Sequence, residues 1–84
     1  MADIKLYTTS FCPFCIQAKR LLKKRELDFE EINLTGKYDE LDALKESTKF
    51  RTVPQIFVKE TFIGGYEELS ALDRSGKLNE MLNT

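Results

Sequence analysis

Eighty-four residues suffice for one small hydrophobic core and leave no room for a second, so a single domain over residues 1–84 is expected. Thirteen basic residues against fourteen acidic ones give a net charge of −1, which lacks the cationic excess of a nucleic-acid binder. With 42% apolar residues the chain can fold without staples, which argues against disorder. No apolar run approaches the roughly 20 residues that cross a bilayer.

The opening MADIKLYTTS alternates and carries charge, unlike the apolar stretch of a secretory signal, so a cytoplasmic protein without membrane attachment is expected. In DIKLYTT, Ile4, Leu6 and Thr8 fall on one face and Lys5, Tyr7 and Thr9 on the other, the period of a β-strand. From Pro13 to about Arg25 the pattern turns helical: Phe14, Ala18, Leu21 and Leu22 recur at helical spacing, with Gln17, Lys19, Lys23 and Lys24 on other faces. The run KRLLKKR in this helix reads as a solvated face, its cations toward the end the helix dipole favours. Lys19 in particular is placed to add positive potential near the cysteines and attract an anion there.

LDFEEINL reads as a second strand whose alternation stumbles at Glu30-Glu31, where a bulge is expected. Gly36 closes that unit. Tyr38, Leu41 and Leu44 then mark a second helix, with Asp39 and Glu40 at its electropositive start. VPQIFV and TFIGG are two further strands joined at Lys59-Glu60, a turn without Asn-Gly chemistry. Leu69 and Leu72 place a third helix from near Tyr66 to Gly76, and Leu78, Met81 and Leu82 a last helical turn. The order β-α-β-α-β-β-α calls for a right-handed parallel crossover followed by an antiparallel hairpin. The expected class is α/β, a four-stranded mixed β-sheet flanked by three or more helices.

Both cysteines of the chain lie in SFCPFC. Cys12 falls where the first strand gives way to the first helix, and Pro13 suits the first helical position, where its missing N–H is not needed. Cys15 follows on the same helix face, about 5–6 Å away between Cβ atoms. Small local adjustment reaches the roughly 3.5–4.5 Å of a disulfide, so the pair can open and close without refolding. The helix N-terminus favours a thiolate at Cys12. Such stabilisation helps an attacking thiolate little, because intrinsic nucleophilicity falls with basicity, but it makes the sulfur a better leaving group. A zinc clasp needs four Cys or His ligands, and the chain has no histidine and no third cysteine. Inert buried cysteines remain the plain structural alternative. A CxxC inside a βαβ pattern favours a redox couple.

Three motifs in order, YTTSFCPFC, TVPQIFV and GGYEEL, resemble those of a dithiol glutaredoxin, and the resemblance spans nearly the whole chain. It implies a thioredoxin fold, glutathione as reducing co-substrate, and protein disulfides and protein–glutathione mixed disulfides as substrates. By the same resemblance Cys12 is the nucleophile and Cys15 the resolving thiol. Pro54 matches a cis-proline facing the active site, leaving the backbone of Val53 to pair with the cysteinyl part of glutathione like a short strand, with Thr52 beside it in the glutathione site. Gly65, Tyr66 and Glu67 match the segment that holds the γ-glutamyl end, where helix N–H groups suit a carboxylate and Glu67 suits an amine.

Two departures bear on the grip on glutathione. Thr9 stands where many relatives carry a lysine, so Lys49 or Arg51 is the expected substitute charge. Phe14 stands where tyrosine is commoner, giving CPFC for CPYC and keeping a stacking surface without its hydroxyl. Two alternatives keep the fold: a redoxin fed by thioredoxin reductase, and a [2Fe–2S] carrier of two chains. Pro13, whose ring stiffens the loop, weighs against the carrier. A monomer without a resident metal is the expectation.

Overall fold

The alternation in IKLYT builds the strand on which the rest is laid. The computed structural model describes residues 3–83; Met1, Ala2 and Thr84, the ends of the expected domain, lie outside the described residues. Strand β1 (Ile4–Thr8) buries Ile4, Leu6 and Thr8 on one face. Helix α1 (Pro13–Lys24) starts with proline at its first turn and buries Cys15, Ala18 and Leu22. It stops without a glycine. Glu26 takes the left-handed conformation (φ 58°), letting Leu27 N–H reach the Leu22 carbonyl (2.9 Å) and Glu26 N–H the Lys23 carbonyl (3.0 Å).

Strand β2 (Phe29–Asn33) runs parallel to β1 in unbroken register from Ile4–Phe29 to Thr8–Asn33. The bulge expected at Glu30-Glu31 is therefore absent from this pair. The alternation fails for another reason: Glu31 pairs with Leu6, on the face that carries α1, and is held there by Thr8 and Lys19. A bulge occurs instead between β3 (Gln55–Val58) and β4 (Thr61–Gly64). There Ile56 pairs with Gly64 and Phe57 with Phe62, leaving Ile63 as the extra residue. Lys59 and Glu60, at φ 48° and 70°, form the two-residue turn, so the hairpin adopts left-handed geometry without glycine.

The sheet order is β2-β1-β3-β4, with β1 antiparallel to β3 and β3 to β4. Helices α2 (Tyr38–Thr48), α3 (Tyr66–Ser75) and α4 (Lys77–Leu82) complete the expected order. One face of the sheet packs Ile4, Leu6, Ile56 and Val58 against Ala18 and Leu22 of α1, Leu69 of α3 and Leu78 of α4. Each large aliphatic side chain buried here contributes about 1.5–3 kcal/mol. The second face carries a row of rings: Tyr7 on Phe57 (5.7 Å), Phe57 on Phe62 (5.2 Å) and Phe62 on Phe50 (5.4 Å). That row fixes the segment between α2 and β3. No helix among the described residues is long and apolar enough to cross a membrane.

Candidate active site

Cys12 caps helix α1. Its extended backbone (φ −111°, ψ 104°) sets the sulfur over the first turn, where Sγ accepts from the Cys15 N–H at 3.2 Å. A sulfur thus fills the place usually taken by a Ser, Thr or Asp oxygen, and the same contact stabilises negative charge on it. The loop before it is braced from the sheet. Ser10 N–H donates to Thr35 Oγ1 (2.6 Å), and the Leu34 N–H to the Thr8 carbonyl (2.9 Å). Phe11, at φ 59°, is fully exposed beside Cys12.

Cys15 lies behind, only 2% exposed, and both cysteines are free thiols. Burial pushes the Cys15 thiol up to about 12, with the hydrogen bond and charge of Cys12 adding to it; the Thr9 backbone and the Lys19 ammonium pull the other way. One sulfur is therefore partly open and supported by a helix N–H, the other buried and held as a thiol. That asymmetry suits an attacking sulfur and a reserve sulfur.

Across from Cys12, its thiol donates to the Val53 carbonyl at 3.6 Å, and the Val53–Pro54 peptide bond is cis. From this point a groove of about 250 Å³ runs to the start of α3. Phe14, Thr52, Val53, Pro54, Gly65, Tyr66 and Glu67 are among the residues that line it. Phe14 and Tyr66 stack at 6.3 Å between centroids, closing one end of the wall. The first helical hydrogen bond of α3 runs from Leu69 N–H to the Gly65 carbonyl (3.0 Å), so the amides of Tyr66 and Glu67 precede it and favour an anion.

Seven residues singled out from the sequence, Phe14, Thr52, Val53, Pro54, Gly65, Tyr66 and Glu67, come together in this groove, beside Cys12. Arg51 does not. With Lys49, Lys45, Asp42 and Glu46 it lines a neighbouring depression, and Lys49 pairs with Glu46 at 3.2 Å. Among the described residues, the groove wall contains no lysine or arginine. Lys19, a candidate source of positive potential, pairs with Glu31 at 3.1 Å and still bears on the Cys15 thiol.

Three contributors were not singled out from the sequence. Phe50 forms part of the groove wall, and nothing in the local pattern marks it. Glu68 accepts from the Gly65 N–H at 2.7 Å, a helix-start contact that its position three residues after Gly65 could have signalled. Gln55, fully buried, binds the whole preceding segment. Its Nε2 donates to the carbonyls of Phe50 (2.6 Å) and Thr52 (3.2 Å), and its Oε1 accepts from Thr48 Oγ1 (2.8 Å).

A helix-capping cysteine, a buried partner one turn on, and a cis-proline facing them define a thioredoxin-fold thiol–disulfide oxidoreductase. The comparisons with known proteins narrow the class. The family model described as Glutaredoxin matches residues 4–63. A glutaredoxin of Pseudomonas aeruginosa is 43% identical over 83 residues, covering 99% of each chain. Glutaredoxin 3 of Escherichia coli K12 is 37% identical over 82 residues, 98% of this chain and 99% of that one. A crystal structure of wheat glutaredoxin superposes with a TM-score of 0.90 at 35% identity, over 98% of this chain and 80% of that one. A buckwheat glutaredoxin–glutathione complex gives 0.85 at 27% identity, over 96% and 76%. The chain belongs to the glutaredoxin family.

Proposed function

We propose that this oxidoreductase draws its electrons from glutathione, and that it reduces protein disulfides and protein–glutathione mixed disulfides through Cys12 and Cys15. The observation that carries this is the groove joining the Cys12–Val53 contact to the N-terminus of α3. A γ-glutamyl tripeptide offers a thiol, a mid-chain backbone and a terminal carboxylate with its amine. The groove offers, in the same order, Cys12, the Val53 backbone, and the Tyr66 and Glu67 amides with the Glu67 carboxylate. The buckwheat homologue with glutathione bound lends support.

The Cys12 thiolate attacks one sulfur of the substrate disulfide. A Cys12–substrate bond forms, the substrate S–S bond breaks, and the departing thiolate takes a proton from solvent. Cys15, once deprotonated, attacks the Cys12 sulfur and releases the second substrate thiol. Two electrons have then passed from the dithiol to the substrate. One glutathione thiolate opens the Cys12–Cys15 disulfide, and a second removes the glutathionyl group from Cys12 as oxidised glutathione. When the substrate is itself glutathionylated, Cys12 takes the glutathionyl group directly and Cys15 is not required. The Cys15 N–H at Cys12 Sγ assists every step in which that sulfur leaves as a thiolate.

Turnover of a glutathionylated protein is to be compared with two electron sources: glutathione with glutathione reductase, and thioredoxin reductase without glutathione. The glutathione couple is expected to sustain turnover and thioredoxin reductase to fail. Turnover with thioredoxin reductase alone would overturn the assignment, and the absence of a cation from the groove wall would then acquire that meaning.

A further inference from the structure

We infer that Lys19, Glu31 and Thr8 form a positioning device for the resolving thiol, Glu31 holding the Lys19 ammonium one helical turn from Cys15. The inference rests on Cys15 acting as the resolving thiol.

The device spans three elements. Lys19 stands four residues after Cys15 in α1, so both lie along one helix face. From the edge strand β2, Glu31 reaches under the helix and accepts from Lys19 Nζ at 3.1 and 3.4 Å. The same carboxylate accepts from Thr8 Oγ1 at 2.7 Å, and Thr8 is 1% exposed at the end of β1. Glu31 thus ties the ammonium four residues from Cys15 to the end of β1, through an ion pair on one side and the Thr8 hydroxyl on the other.

The chemistry needs such support. Cys15 must lose its proton before it can attack, in a site where burial and the neighbouring Cys12 disfavour the thiolate and the Lys19 ammonium favours it. A lysine free in solvent would spend its time away from the helix. Pairing with Glu31 keeps it on the Cys15 side, and the carboxylate's own charge is taken up by Thr8, Lys19 and, more distantly, Lys23. Arg20 and Lys24, on the opposite side of α1, line a separate depression with Arg25 and Asp73.

Stopped-flow mixing of the reduced protein with limiting dithiobis(nitrobenzoate) separates the two thiols. Attack by Cys12 releases the first nitrobenzoate thiolate in a concentration-dependent phase. Attack by Cys15 on the mixed disulfide releases the second in a concentration-independent phase. Cys15→Ser should lose the second phase; if it does not, the resolving step is absent and the inference falls with it. Given that phase, Lys19→Gln and Glu31→Gln are each expected to slow it roughly threefold, because a smaller thiolate fraction is only partly offset by higher nucleophilicity. Its pH profile should move upward, the first phase should stay unchanged, and Lys19→Arg should restore the rate. A second phase that is unchanged or faster in either Gln variant, or a first phase slowed equally, would overturn the device.

Discussion

The Cys12 thiol lies 3.6 Å from the carbonyl oxygen of Val53, a residue 41 positions further along the chain. Cys12 and the Val53-Pro54 loop are thus one contact apart, and whatever lies along the Val53 backbone meets the sulfur directly. The placement of that loop decides the chemistry as much as the cysteines do.

Gln55 holds the loop. Its amide makes three hydrogen bonds to Thr48, Phe50 and Thr52 from a fully buried position. Gln55→Ala leaves two carbonyls and a hydroxyl without this partner and should destabilise the protein by about 2–4 kcal/mol. Urea unfolding reads the loss. In assays at a temperature where the variant stays folded, KM for a glutathionylated peptide should rise more than kcat falls.

Gly64 ends β4, just before Gly65 of the groove. Its φ of +115° is strained for any L-residue, and an added Cβ would sit 2.7 Å from Glu68 Cγ. Gly64→Ala must displace Glu68 from the Gly65 N–H, so a loss of at least about 2 kcal/mol is expected. Gly36→Ala is the control: its φ of +79° is also positive, but nothing lies within 4 Å of the added carbon. Equal destabilisation of the two variants would mean that the Glu68 contact is unimportant.

Glu31 gives a pH signature. The Thr8 hydroxyl, followed by Lys19, holds its carboxyl below the ordinary value of 4.5. A folded-state value below the unfolded one stabilises the protein above the unfolded value and ceases to do so as pH falls through the folded one. Native protein should therefore exceed Glu31→Gln in stability by about 0.5–1 kcal/mol at neutral pH, given the partial exposure of the pair. That difference should close below the ordinary carboxylate range. Denaturant melts at neutral and acidic pH test this, and a constant difference would contradict it.

Much of this was legible in the chain. Ile4, Leu6 and Thr8 announced a strand because one face of it is buried, and Pro13 announced the helix start because its missing N–H costs nothing there. The groove was legible through three motifs that the fold brings together. What stayed hidden depended on partners far away in sequence. Glu31 looked like a bulge because its partners, Thr8 and Lys19, lie on two other elements. Lys59-Glu60 carried weak turn chemistry, since strand pairing imposes the left-handed turn on residues that do not prefer it. Arg51, adjacent in sequence to the groove, lines a different depression with Lys45, Glu46 and Lys49, a placement set by how the segment after α2 packs and not by its sequence neighbours.

The division of labour between the two thiols is tested most directly by assaying Cys12→Ser and Cys15→Ser on a glutathionylated peptide and on a protein disulfide, with glutathione as electron source. Cys12→Ser is expected to abolish both activities. Cys15→Ser is expected to keep removal of glutathione from the peptide while losing most reduction of the protein disulfide. Equal loss of deglutathionylation in the two variants would contradict it.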